Sequence, residues 1–293
     1  MWWKIVPTQL DLADVAVADH TQRDALVRSL PHLARLVGKT IVAKIGGSVG
    51  QDGTVLEDLI LLQRLGVRPV IVHGGGASIT DLTERLGLET RFVEGRRYTD
   101  EPTLDAARMV LVGKVNGDIV AEINAQGGLA IGLNGLDGRM IQARLRDEQL
   151  GLVGDVERFD LRPLEMLLAQ GYTAVIAPIA SGPDGRPLNV NADSVAGDLA
   201  RALRAEKMIL FTDVAGVLDE SGRLLAELSG DEVRELISSG VIKGGMIPKV
   251  EACMRALETV PRVHILDGRE PHTLIEELLT DTGVGTMIVG QNG

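Results

Sequence analysis

Short β-branched runs alternate with amphipathic helical segments along nearly the whole chain, and glycine clusters punctuate the alternation. The run at 40–45 (TIVAKI) ends in Gly46-Gly47, and the run at 69–73 (PVIVH) ends in Gly74-Gly75-Gly76. Helical periodicity follows each, over 56–65 and 77–86. Residues 104–124 read as a helix pair or one long helix, 130–133 as a strand and 151–159 as part of a hairpin. Strand 172–177, helix 192–205, strand 207–212 and helices near 231–239 and 248–258 follow, then strand 263–266, helix 271–279 and strand 286–289. Strands that alternate with helices must pair in parallel through right-handed crossovers. The expected fold is α/β: a mostly parallel sheet with helices on both faces.

Ahead of the first strand, Thr21 to Val37 reads as a helix that Thr21 and Asp24 open as a capping box and Gly38 ends. Pro31 lies inside it and should kink it. Leu26, Leu30, Leu33 and Val37 form an apolar stripe, which packs either on its own domain or on another subunit. Residues 1–20 read as a loose arm. The polar stretch SGPDGRPLNVNAD at 181–193 marks a lobe boundary near residue 200.

Composition narrows the function. At 293 residues the chain buries a large core, and two Trp, two Tyr and three Phe leave that core to aliphatic side chains. So few aromatics exclude a stacking platform for single strands, and a net charge of −11 argues against a nucleic-acid surface. A single cysteine, Cys253, allows no intrachain disulfide or multi-cysteine metal site and fits a reducing compartment. The first residues, MWWKIVPTQLDLADV, lack a signal-peptide core, and no run is long enough to span a membrane. A cytoplasmic protein is expected.

Glycines after parallel strands let backbone N–H groups approach a phosphate or carboxylate at the sheet's carboxyl edge. A third pair, Gly244-Gly245, lies close to Lys249; Lys44 lies two residues before Gly46, and Arg97 closes Gly95-Arg96-Arg97. Cations gathered at glycine loops in an acidic chain suit phosphoryl transfer, where charge spreads over the moving oxygens. Asn189 and Asp193, in NVNAD at a helix start, read either as caps or as a substrate contact and a partner for the lysines. Thr212-Asp213-Val214-Ala215-Gly216-Val217 ends another strand and could hold a nucleotide. No P-loop or dinucleotide fingerprint occurs, and the histidines lack zinc-site spacing. Gly46-Gly47-Ser48-Val49-Gly50 and His73-Gly74-Gly75-Gly76 match an esterase elbow and oxyanion loop, but in the wrong chain order.

These segments together resemble the amino acid kinase family, and within it the acetylglutamate kinases. The resemblance covers about 21–289 and rests on KIGGS, VIVHGGG, FVEGRRYTD, MVLVGKVN, NVNAD, TDVAGVL and GGMIPKV. It implies a three-layer α/β/α sandwich with two lobes: 39–200 for the acylated amino acid and dimerisation, 201–293 for ATP, preceded by an arm and kinked helix at 1–38. It implies ATP-dependent phosphorylation of the γ-carboxylate of N-acetyl-L-glutamate, the second step of arginine biosynthesis, with Mg²⁺ carried on the nucleotide phosphates. By position, Lys44 and Lys249 neutralise the transferring phosphoryl group and Asp193 organises them. Gly47, Gly75 and Gly76 donate N–H groups, and Arg97 and Asn189 hold the substrate's α-carboxylate end. Thr212, Asp213, Val214, Gly216, Val217, Gly244, Gly245 and Met246 line the nucleotide site. The N-terminal helix and the tail, with His264, Glu277 and Gly285, resemble the arginine-inhibited hexameric members, so arginine and further copies of the chain are expected partners. Ala77 stands where proline is usual, and His32 where many members carry tyrosine. A sister kinase of an acylated aminoadipate and a non-catalytic sensor remain the alternatives.

Overall fold

The computed structural model describes residues 20–46, 53–93, 95–280 and 283–290. In chain order the elements begin with α1 (His20–Leu36), β1 (Thr40–Ile45), α2 (Thr54–Arg64), β2 (Arg68–His73) and α3 (Gly76–Arg85). The two-residue strands β3 (Phe92–Val93) and β4 (Arg96–Arg97) precede α4 (Glu101–Arg108), a π-helical segment (Met109–Val115) and α5 (Asn116–Ala125). Next come β5 (Ala130–Asn134), β6 (Ile141–Leu145), β7 (Val153–Phe159), α6 (Arg162–Ala169), β8 (Thr173–Ala177), β9 (Ile179–Ser181) and β10 (Pro187–Val190). The chain continues through α7 (Ala192–Leu203), β11 (Lys207–Thr212), β12 (Glu227–Ser229), α8 (Gly230–Ser238), α9 (Met246–Ala256), β13 (Arg262–Asp267), α10 (Thr273–Leu279) and β14 (Thr286–Val289).

The main sheet has eight strands in the order β12-β14-β13-β11-β1-β2-β8-β5. The six strands from β13 to β5 are mutually parallel, and β14 runs antiparallel to β13. Such strands read as unbroken apolar runs because both faces are covered. Alternate residues serve two cores: Val42, Val70, Val72 and Leu210 face one that includes Val195, Leu199 and Cys253 of α7 and α9. Ile41, Ala43, Ile71 and Phe211 face the other, with Leu59 and Leu62 of α2 and Leu274 of α10. Helices thus flank the sheet on both faces, as a three-layer sandwich requires. Four short strands, β10-β7-β6-β9, close into a small ring beside it.

Two readings of the sequence change, and two that were open are narrowed. First, α1 already includes His20, so Thr21 is a helical residue and not the non-helical cap of a capping box. Second, the stretch at 181–193 is not all loop. Its Pro187–Val190 pairs with β9 and β7, and proline is admissible because it is the strand's first residue. Third, of the helix pair or one long helix read over 104–124, the structure has the long helix: residues 101–125 form one continuous helical run that contains a π segment. Fourth, of the two places open to the apolar stripe, its own subunit covers only part: Leu33 is half-buried. Leu26, Leu30 and Val37 are 67%, 59% and 51% exposed, whereas Leu36 is buried in the second core. The N-terminal arm and Gly47 lie outside the described residues.

Candidate active site

The carboxyl ends of β1 and β2 and the N-terminal ends of α7 and α9 meet in one place. Strand β1 brings Lys44, buried to 6% exposure, to the edge of the sheet. Asn191 caps α7 by accepting a hydrogen bond from the Ser194 N–H at 2.9 Å, which sets Asp193 in the helix's first turn. Lys44 Nζ lies 2.8 Å from Asp193 Oδ1, and Lys249 Nζ on α9 donates to Asp193 Oδ2 at 3.4 Å. One carboxylate therefore bridges two ammonium groups, leaving a buried excess of one positive charge.

Burial pushes the Lys44 pKa down, aided by Lys249, while Asp193 opposes it. Burial would push Asp193 up, but the two lysines outweigh it and hold the carboxyl below its usual range. Such a cluster is expensive to bury and suits a site that receives an anion.

Next to it, Gly74, Gly75 and Gly76 turn from β2 into α3 and line a cavity of about 480 Å³. The same wall holds Lys44, Arg97, Asn189 and Asp193. The carbonyls of the turn are occupied. Gly75 O accepts the Ile79 N–H at 2.9 Å, and Gly76 O accepts from Arg97 Nη2 at 3.0 Å. The N–H groups of a helix's first turn have no intrahelical acceptor, so those opening α3 are donors for a ligand.

Arg97 also donates through Nη2 to Thr80 Oγ1 at 2.7 Å. Its Nη1 is buried with no partner among the described residues, an unfilled half of a carboxylate-binding fork. Asn189 Nδ2 donates to Thr99 Oγ1 at 3.2 Å, whose hydroxyl donates to Arg97 O at 3.0 Å, tying the two substrate-binding candidates together. Thr80 and Phe92 complete this end of the cavity without having been singled out in the sequence. The guanidinium of Arg97 stacks over the Phe92 ring, 4.9 Å from its centroid.

The remaining candidates fall in two other places. Thr212 ends β11, the neighbour of β1, and Asp213, Val214, Gly216 and Val217 follow it; none of the five is in the wall of the cavity. Val217 N–H donates to Thr286 Oγ1 at 2.8 Å. Gly244 (φ 58°), Gly245 and Met246 open α9, with open space where a Cβ on either glycine would point. The Met246 and Ile247 N–H groups already donate to Lys243 O at 3.3 Å and Gly244 O at 3.2 Å, so only the glycine side of this turn is open.

His264 and Glu277 meet on the sheet face that α10 covers, two strands from β1, with His264 Nδ1 2.7 Å from Glu277 Oε1. Burial pushes His264 down, against the pull of Glu277. Burial would raise Glu277, but contact with His264 outweighs it and holds the carboxyl low. Both residues, with Gly285 and His32 of α1, line a second cavity of about 270 Å³.

Residues 39–267 match the model of the amino acid kinase family, and the chain belongs to that family. Its relatives are more particular. The acetylglutamate kinase of Moorella thermoacetica is 48% identical over 283 residues, spanning 90% of this chain and 96% of its own. That of a Nostoc species is 44% identical over 289 residues, spanning 96% of this chain and 97% of its own. Among solved structures, N-acetylglutamate synthase from Neisseria gonorrhoeae, complexed with coenzyme A and N-acetyl-glutamate, superposes with a TM-score of 0.80. It is 26% identical and covers 91% of this chain, which spans 63% of that synthase. Carbamate kinase from Giardia lamblia bound to AMP-PNP shares the fold alone, at 13% identity and a TM-score of 0.65 over 87% of this chain and 99% of its own.

Proposed function

We propose that this chain is an acetylglutamate kinase, transferring the γ-phosphoryl group of ATP to the γ-carboxylate of N-acetyl-L-glutamate in the second step of arginine biosynthesis. The observation that carries this reading is the Lys44–Asp193–Lys249 cluster at the edge of a cavity whose other end holds the unpaired Nη1 of Arg97. Arg97 and Asn189 hold the α-carboxylate end of the acceptor, directing its γ-carboxylate toward Gly75, Gly76 and the lysines. A γ-carboxylate oxygen forms a bond to phosphorus as the bond between phosphorus and the departing ADP oxygen breaks. The products are an acyl phosphate and ADP. The acceptor is ionised at neutral pH, so no base is needed and no proton moves. Lys44 and Lys249 stabilise charge on the phosphoryl oxygens, and Asp193 keeps both ammonium groups aimed at them.

In this reading 39–200 forms the acceptor lobe and 201–293 the nucleotide lobe. Thr212–Val217 and Gly244–Met246 hold ATP, and Mg²⁺ carried on the nucleotide would supply Lewis acidity to the transfer. The 270 Å³ cavity binds free arginine as a feedback inhibitor, Glu277 receiving its guanidinium. Support comes from a relationship of place: His32 brings α1, with its partly uncovered stripe, to the wall of that cavity. The stripe assembles dimers into a hexamer, and a cytoplasmic location goes with this reading. ADP release measured with N-acetylglutamate, glutamate, N-acetyl-aminoadipate, aspartate and carbamate tests the assignment. Turnover should be confined to N-acetylglutamate; preference for another acceptor, or none, would overturn it.

A further inference from the structure

His73 and Asn116 lie behind the glycine turn, 43 residues apart in sequence and both buried. Asn116 Nδ2 lies 2.9 Å from the carbonyl of Val175, which only a donor can satisfy, and that contact fixes which way the amide points. The other N–H of the same nitrogen is directed at His73 Nε2, 3.1 Å away. Nε2 must therefore be the unprotonated nitrogen of the ring. His73 Nδ1 lies 2.9 Å from Gly74 O and donates to it. The ring is thus a neutral imidazole in one tautomer, and burial agrees, pushing its pKa down to about 4.

The π segment is what brings Asn116 there. Its i→i+5 geometry places residues five apart on one side, and Leu111 and Asn116 are so related. A Cβ on Gly75 would lie 2.7 Å from Leu111 Cδ2, so the segment presses directly on the turn. On its other side, a Cβ on Gly132 would lie 1.9 Å from Asn116 Oδ1, so the amide occupies space that only a glycine at 132 leaves open. We infer that Asn116, held by the π segment, is a positioning residue for the phosphoryl acceptor: it locks His73 in the tautomer that donates to Gly74 O and so keeps the Gly75 and Gly76 N–H groups directed into the cavity. With the Gly74, Gly75 and Gly76 carbonyls each engaged, no peptide of the turn is free to flip. The inference rests on the kinase reading for its consequence, and on geometry alone for the tautomer.

The test combines kinetics with ¹⁵N-histidine spectra. In the unvaried enzyme His73 should be neutral and protonated at Nδ1 from pH 6 to 8; an Nε2–H or imidazolium signature overturns the inference without any variant. Asn116→Ala and the isosteric Asn116→Asp should lose the pure Nδ1–H signature. Both should lower kcat at least 10-fold while the KM for ATP stays within twofold. Folded variants with a lower Tm but unchanged kcat and tautomer would reduce Asn116 to packing and overturn it. Turnover of N-acetylglutamate by the unvaried enzyme reports on the reaction itself, so failure there is separate from a change seen only in the variants.

Discussion

Gly197 approaches Ala252 so closely that a Cβ on the glycine would lie 2.4 Å from the Ala252 carbonyl oxygen. Their contact sets the spacing of α7 and α9, and hence of Asp193 and Lys249, one on each helix. Gly197→Ala should push the helices apart at a site that cannot absorb a methyl, costing about 1–3 kcal/mol. It should also lengthen the 3.4 Å contact between Lys249 and Asp193 and lower kcat, by up to about 10²-fold for a displacement near 1 Å. Denaturant melts and steady-state rates on one preparation check both effects; an unchanged kcat would uncouple the helix contact from catalysis.

The two ends of the cavity should separate kinetically. Lys44→Ala and Lys249→Ala remove charge stabilisation that matters most in the transition state, so kcat should fall about 10²–10³-fold with little change in KM. Arg97→Ala should chiefly raise the KM for N-acetylglutamate and leave nucleotide affinity alone, because Arg97 contacts the acceptor end only. Calorimetry showing equal loss of both ligands would contradict that division.

Acid should destabilise the protein through His73. Its pKa is about 4 when folded, against roughly 6.5 in an unfolded chain. The unfolded chain therefore takes up the proton first as pH falls. Stability is undiminished above about 6.5 and declines toward pH 4, by about 3 kcal/mol in all. Urea titrations at pH 7, 5.5 and 4.5 should show this slope, and His73→Gln should flatten it. A His73 pKa near 6.5 in the native enzyme would remove the effect.

Assembly and inhibition should be lost together. Full-length protein should scatter light as a hexamer and lose activity on titration with arginine but not lysine. Removing residues 1–35 spares Leu36, which is buried in the core, and should leave an active dimer indifferent to arginine. Glu277→Gln should weaken inhibition without breaking the hexamer. A full-length dimer that ignores arginine would end the regulatory proposal and leave the kinase assignment standing.

Much of the frame was readable because parallel strands buried on both faces are apolar throughout. The runs at 40–45, 69–73 and 207–212 are such strands, and each ends where a candidate site residue begins. The edge elements were not readable. Glu227–Ser229 and Phe92–Val93 are too short to show a period, and Arg162–Ala169 offers too few turns. Lys44, Lys249 and Arg97 stood out as charges beside glycine turns, whereas Asn189 and Asp193 read equally as helix caps, and the family resemblance was what assigned them to the site. The link from His73 to Asn116 did not stand out, because nothing in their spacing shows that a π segment will carry the amide to the ring. The apolar stretch MVLVGKVN displayed the residues but not the extra residue per turn that aims them.

The most direct test of the account follows one oxygen atom. N-acetylglutamate labelled with ¹⁸O in its γ-carboxylate is turned over with ATP and the enzyme in the presence of hydroxylamine. Hydroxylamine attacks the acyl carbon of the product and releases phosphate that retains the bridging oxygen. If a carboxylate oxygen bonds to phosphorus in the cavity beside Lys44 and Lys249, the phosphate released carries one ¹⁸O and a hydroxamate forms in equal amount. Unlabelled phosphate, or ADP formed without hydroxamate, would contradict the assigned reaction.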